Sequence, residues 1–175
     1  KTPDGFPIAK SSSILYNNNQ RRVDGYNVLL TTIREGLEKN TSHYFFGSED
    51  YILKKVIQNL EKDFPLINIV GSFSPPVAEF KELTEEQYIQ DIQNVNPDIV
   101  WVSLGFPKQE MFIELLQKKY RMESNFVGIG AVFEWVAGTK VKAPEFIANL
   151  GLEWLLRLVQ EPRRLFKRYF IDNFL

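Results

Sequence analysis

Four short runs of aromatic, β-branched and aliphatic residues close on glycine, and this recurrence constrains the chain more than any other feature. They are Tyr44-Phe45-Phe46-Gly47, Ile67-Asn68-Ile69-Val70-Gly71, residues 99–105, and Phe126-Val127-Gly128-Ile129-Gly130. Runs this short and this apolar read as strands buried on both faces. Between them, residues 49–60, 84–95 and 107–119 carry helical periodicity, with Ile52, Val56, Ile57 and Leu60 recurring along one side. Glycines 47, 71, 105 and 128 stand 24, 34 and 23 residues apart, which leaves room for one helix per crossover. The spacing predicts an α/β fold: a doubly wound, mainly parallel, Rossmann-like sheet with helices on both faces.

In an open sheet of this kind ligands bind beyond the carboxyl ends of the strands, where helix N-termini present N–H groups and a positive dipole end to anions. The turns at Gly47, Gly71, Gly105 and Gly130 are expected at that edge; turn geometry alone is the plainer reading of any single glycine. Ser48 suits an N-cap before Glu49-Asp50, Thr84 and Gln87 have capping-box spacing, and Pro107 suits a first helical position. Residues 27–39 read as a further helix and residues 11–22 as a flexible polar loop. After Ala143-Pro144, residues 146–159 and 163–174 read as helices. The expected organisation is a Rossmann-like core over residues 1–145 and a basic-aromatic helical appendage over residues 146–175. A start at Lys1-Thr2-Pro3 adds the expectation that the chain is a piece of a longer protein.

Composition narrows the function. With 175 residues, 44% of them hydrophobic, one core of ordinary domain size can form. The net charge of −1 gives no overall field toward nucleic acid, and none is expected as a partner. Absence of cysteine removes disulfides, thiolate zinc sites and a cysteine nucleophile. The single histidine, His43, lacks a second histidine for a metal set and is expected as a strand-edge or packing residue. No segment supplies the Gly-x-x-x-x-Gly-Lys-Ser/Thr phosphate loop. Gly128 to Phe133 forms a partial dinucleotide fingerprint, with Phe133 where a small residue belongs, so a nicotinamide-dependent oxidoreductase stays an alternative. There is no Asp-x-Asp pair, and the adjacent carboxylates of Glu49-Asp50 and Glu85-Glu86 diverge, so no metal is indicated. The charge of a departing diphosphate would then fall to helix N-termini and to Arg or Lys.

Charge is uneven along the chain. Residues 151–175 hold Arg157, Arg163, Arg164, Lys167 and Arg168 against three acids, a local +2 interleaved with Leu165, Phe166, Tyr169, Phe170 and Phe174. That composition suits an anionic membrane surface or a diphosphate; a helix that packs its aromatics inward with solvated arginines is the other reading. No run approaches the roughly 18 apolar residues that span a bilayer, so a soluble or membrane-peripheral protein is expected.

Blocks spread along the chain carry a resemblance: Asp4-Gly5, Arg22-Val23-Asp24-Gly25, Ile69-Val70-Gly71-Ser72, Leu104-Gly105-Phe106-Pro107-Lys108-Gln109-Glu110, Gly128-Ile129-Gly130-Ala131-Val132-Phe133, Lys142-Ala143-Pro144, Gly151 to Arg157, and Glu161 through Tyr169. In this order and spacing they resemble the WecG/TagA/CpsF family of glycosyltransferases over essentially the whole chain. The resemblance implies a metal-independent, inverting transferase without a cofactor. It would move a sugar from a UDP-sugar donor to a polyprenyl-diphosphate-linked saccharide acceptor in bacterial surface polysaccharide synthesis. Its implied location is cytoplasmic, peripheral on the inner face of the cell membrane. By the same resemblance Asp4 is the general base, taking the acceptor hydroxyl's proton as that oxygen attacks the anomeric carbon. Arg22 and Gln109 fall near the reacting sugars or phosphates, as catalytic or orienting groups. Lys108, Gly47, Ser48, Gly71, Gly105 and Gly130 would surround the donor. Arg157, Arg164 and Lys167 would engage diphosphate at the membrane, Lys167 without arginine's bidentate geometry. A non-catalytic sugar-nucleotide-binding or partner subunit is the alternative, and an oligomer is compatible with either. The donor sugar depends on a few pocket contacts that sequence does not reveal.

Overall fold

The computed structural model describes residues 6–20, 23–76, 86–160 and 162. Asp4, Arg22, Arg164 and Lys167, the capping position Thr84 and the helix expected over residues 163–174 lie outside the described residues. The chain divides into two compact units, residues 25–139 and residues 1–24 with 140–175. The second unit opens with helix α1 (Phe6–Leu15), which takes in residues 11–15 of the expected polar loop. Serines usually compete with a helix by bonding the backbone locally, but Ser13 turns its hydroxyl back to the Ala9 carbonyl at 3.0 Å and stays within the helix.

The larger unit runs α2 (Gly25–Gly36), β1 (Ser42–Gly47), α3 (Asp50–Asp63), β2 (Asn68–Phe73), α4 (Glu86–Val95), β3 (Ile99–Ser103), α5 (Lys108–Lys118), β4 (Asn125–Gly128) and α6 (Val132–Val136). The strands lie in the order β2-β1-β3-β4 with every pairing parallel, as the glycine spacing predicts. From β1 the chain steps out to β2, crosses back to β3 on the other flank, and continues outward to β4. The direction of winding therefore reverses between β1 and β3.

Residue alternation on the two central strands explains the helices on both faces. Phe45 and Trp101 enter a cluster with Leu29 and Ile33 of α2, Val56 and Leu60 of α3 and Phe133 of α6. Tyr44, Phe46, Val100 and Val102 enter the opposite cluster, with Ile89 and Ile92 of α4 and Phe112 and Leu116 of α5. Burial on both faces favours an unbroken apolar run, the pattern seen at Tyr44-Phe45-Phe46 and Ile99 to Val102. Full burial of each such side chain is worth about 1.5–3 kcal/mol, and the Phe46–Phe112 stack at 4.5 Å adds a directional contact.

His43 packs on a central strand, buried, and its Nδ1 accepts a hydrogen bond from Trp101 Nε1 at 3.2 Å. Burial brings its pKa down to about 4, the Asp98 carboxylate opposing the shift. An unfolded histidine titrates near 6.5, so the unfolded chain binds the extra proton first. The stabilisation is fully present above about pH 6.5 and is lost as pH falls toward 4, on the order of 2 kcal/mol after solvent screening. Urea midpoints measured between pH 7 and 4 should fall across this window, and His43→Gln should flatten that part of the profile; an identical slope in the variant would contradict the assignment.

Several boundaries differ from the sequence expectation. Glu49, not Ser48, occupies the N-cap of α3. Ser48 has a left-handed backbone, φ +62°, and is held one residue earlier by the sheet. Gly71 does not close its strand, because β2 continues to Phe73. Pro107 is the residue before α5 instead of its first residue. The helix expected over residues 146–159 is two, α7 (Glu145–Asn149) and α8 (Glu153–Gln160), with Gly151 at φ +75° between them. The Gly151 N–H bonds the Ala148 carbonyl, and the Leu152 N–H bonds that of Ile147, so the glycine ends one helix before the next begins.

Candidate active site

The last row of the sheet at its carboxyl edge pairs Gly47 of β1 with Ser103 of β3, directly at the reversal of winding. A crevice at that point is where open α/β sheets bind ligands. Gly47 has φ +109°, and a Cβ there would lie 2.4 Å from the Ser103 carbonyl oxygen, so only glycine fits. The next residue, Ser48, is fixed on both sides: its N–H donates to the Ser103 carbonyl at 2.8 Å, and its own carbonyl accepts from the Ser74 hydroxyl at 2.7 Å.

Beyond β3 the chain passes through Leu104-Gly105-Phe106-Pro107, with a cis peptide between Phe106 and Pro107, and enters α5 at Lys108. The Gln109 N–H closes the turn on the Gly105 carbonyl at 3.0 Å. Gln109 itself is buried. Its Oε1 accepts the Gly130 N–H at 3.1 Å and its Nε2 donates to Glu110 Oε1 at 2.8 Å. Gly128 leaves the space for that side chain: a Cβ there would meet Gln109 Nε2 at 3.1 Å. From the other direction the Ser103 hydroxyl donates to the Gly130 carbonyl at 2.7 Å. Gly130, at φ +52°, is thus clamped through both of its peptide groups.

Of the sequence-predicted residues, Gly47, Ser48, Gly105, Lys108, Gln109 and Gly130 gather at this edge. Gly71 does not join them. It sits mid-strand opposite Tyr44, whose ring would lie 2.5 Å from a Cβ at that position, so its reason for being glycine is packing. Two of the loop amides have protein partners. The N–H groups of Ser48 and Gly130 are bonded to the Ser103 carbonyl and to Gln109 Oε1. Ser103 was missed by the sequence reading. Its only signal is a hydroxyl closing a strand that is otherwise apolar.

In the other unit, Lys142 pairs with the Asp24 carboxylate, joining two of the sequence blocks across more than a hundred residues. Arg157 pairs with Glu153 one helical turn away on α8. Among the described residues no group of three or more His, Asp or Glu could hold a metal ion, and no helix is long and apolar enough to cross a membrane.

Residues 1–175 match the profile of the Glycosyl transferase WecG/TagA/CpsF family. The chain belongs to this family. Among curated relatives, proteins of Bacillus spizizenii and Bacillus subtilis are each 30% identical over 93% of the chain. One from Staphylococcus aureus is 23% identical over the same share. All three are named N-acetylglucosaminyldiphosphoundecaprenol N-acetyl-beta-D-mannosaminyltransferase. The WecG/TagA/CpsF chain described here spans 61% of the length of each.

Proposed function

We propose that the protein carrying this chain is an inverting glycosyltransferase. It moves N-acetylmannosamine from a UDP donor to N-acetylglucosamine on undecaprenyl diphosphate, without a metal, at the inner face of the cell membrane. The observation that carries this reading is the family match over the whole chain, whose Leu104-to-Glu110 block follows β3 at the carboxyl edge where Gly47 pairs with Ser103. In the proposed chemistry the Asp4 carboxylate takes the acceptor hydroxyl's proton. That oxygen bonds the anomeric carbon, and the bond to the UDP oxygen breaks. Lys108 is proposed as a donor-side cation, Arg22 as a catalytic or orienting group, and Arg157, Arg164 and Lys167 as cations for diphosphate at the membrane; Gln109, bonded at both ends of its amide, is a positioning residue. Trp154, Leu155 and Val159, exposed on α8, support contact between the tail and an anionic lipid surface.

The test is product formation by the full-length protein from UDP-N-acetylmannosamine and the polyprenyl-diphosphate-linked N-acetylglucosamine, presented in anionic or neutral vesicles with EDTA. Turnover that persists with EDTA and is faster on anionic vesicles is expected. Binding of UDP with no product would favour the non-catalytic subunit, whereas NADH binding without UDP affinity would favour the oxidoreductase. Equal rates on both vesicles would reject the lipid contact.

A further inference from the structure

We propose that Ser103 is a positioning residue for the nucleotide-sugar donor, an inference that rests on the transferase reading above. Its main-chain carbonyl receives the Ser48 N–H at 2.8 Å and its hydroxyl holds the Gly130 carbonyl at 2.7 Å, so one residue ties the turn after β1 to the turn after β4. Its place is the last row of the sheet at the reversal of winding, facing Gly47. Among the described residues Ser103 bonds both turns. Gln109 reaches Gly130 alone, and Ser74 reaches Ser48 alone.

The link has a physical consequence at the crevice. The Gly47–Ser48 turn is fixed by the carbonyl of residue 103, which any side chain provides. The Gly130 turn depends on the hydroxyl, which only serine or threonine supplies in this position. Removing the hydroxyl leaves the Gly130 carbonyl without this donor, while the Gln109 contact still holds its N–H. The β4 turn should then rotate about the remaining anchor instead of unfolding, displacing Gly130 at the carboxyl edge where the donor is proposed to bind.

The experiment compares wild type, Ser103→Ala and Ser103→Thr in the full-length protein. It reads KM for each substrate, kcat, the UDP dissociation constant by calorimetry, and Tm. Re-forming a turn that has lost one neutral hydrogen bond should cost donor binding about fivefold. The alanine variant should show a donor KM and UDP dissociation constant raised about fivefold, an acceptor KM unchanged, and threonine should restore both donor constants. Donor constants within twofold of wild type, or equal weakening of both substrates, would overturn the proposal. If the alanine variant does not purify folded, Ser103→Cys, a near-isostere with a poor donor, is read by the same criteria. UDP binding separates this inference from the one beneath it. A wild type that binds UDP without turnover removes the transferase reading but leaves the Ser103 comparison intact. Turnover with an unchanged UDP constant in the variant removes only the role of Ser103.

Discussion

Gly47→Ala should destabilise the larger unit by about 4 kcal/mol, lowering Tm by about 10 °C in thermal denaturation. Two costs combine. A residue with a Cβ at φ +109° lies outside its allowed region, a penalty of about 1–3 kcal/mol. The new methyl would also stand 2.4 Å from the Ser103 oxygen and 2.7 Å from its carbon, so the two central strands must separate at their carboxyl ends, an overpacking cost of about 1–3 kcal/mol. Gly105→Ala provides the control. Its φ of +75° carries a comparable backbone penalty, but nothing lies within 4 Å of a Cβ there. It should lose only about 1–2 kcal/mol. Equal losses in the two variants would show that the close approach of β1 and β3 is not what excludes a side chain at position 47.

This contrast also marks what was legible in the sequence. The sheet was, because β1 and β3 carry unbroken apolar runs, Tyr44-Phe45-Phe46 and Ile99 to Val102, as strands covered by helices on both faces must. The edge proposed for the site was read from the glycines, yet the reason for each glycine was not. Gly47 is required by the neighbouring strand β3, two crossovers further along the chain, Gly71 by the ring of Tyr44, and Gly105 by its own backbone angle; all three look alike in sequence. Ser48 was read as a helix cap because a serine before two acids has that local signature, and a long-range bond to Ser103 overrode it. Gln109 was placed at the site by resemblance. Its use as a clamp on Gly130 depends on a contact over 21 residues, and Ser103 reaches Gly130 over 27, separations for which no local pattern exists. The pairing of Asp24 with Lys142 was hidden for the same reason, although each belongs to a block that carried the resemblance.

Asp4→Asn in the full-length protein should reduce kcat by about 10²–10⁴-fold while leaving UDP binding within about twofold of wild type, the range for loss of a general base. The expectation comes from the family resemblance at Asp4-Gly5, since this residue lies outside the described ones. Asparagine keeps the shape and a hydrogen-bond acceptor but cannot take a proton at neutral pH. The acceptor hydroxyl must then lose its proton to water as its oxygen attacks, and the barrier rises at that step alone. Donor affinity is made elsewhere, by contacts to the nucleotide, so a base assignment predicts separation of turnover from binding. The pH profile supplies a second measure. An essential carboxylate gives kcat/KM a falling limb on the acid side as it becomes protonated, and that limb should vanish in the asparagine variant, leaving a low, flat rate. Asp4→Glu keeps the base on a longer arm and should retain part of the lost rate with the acid limb restored. An asparagine variant that turns over like wild type would move the base to another carboxylate, and one that loses UDP binding in step with kcat would make Asp4 a residue of the donor pocket instead.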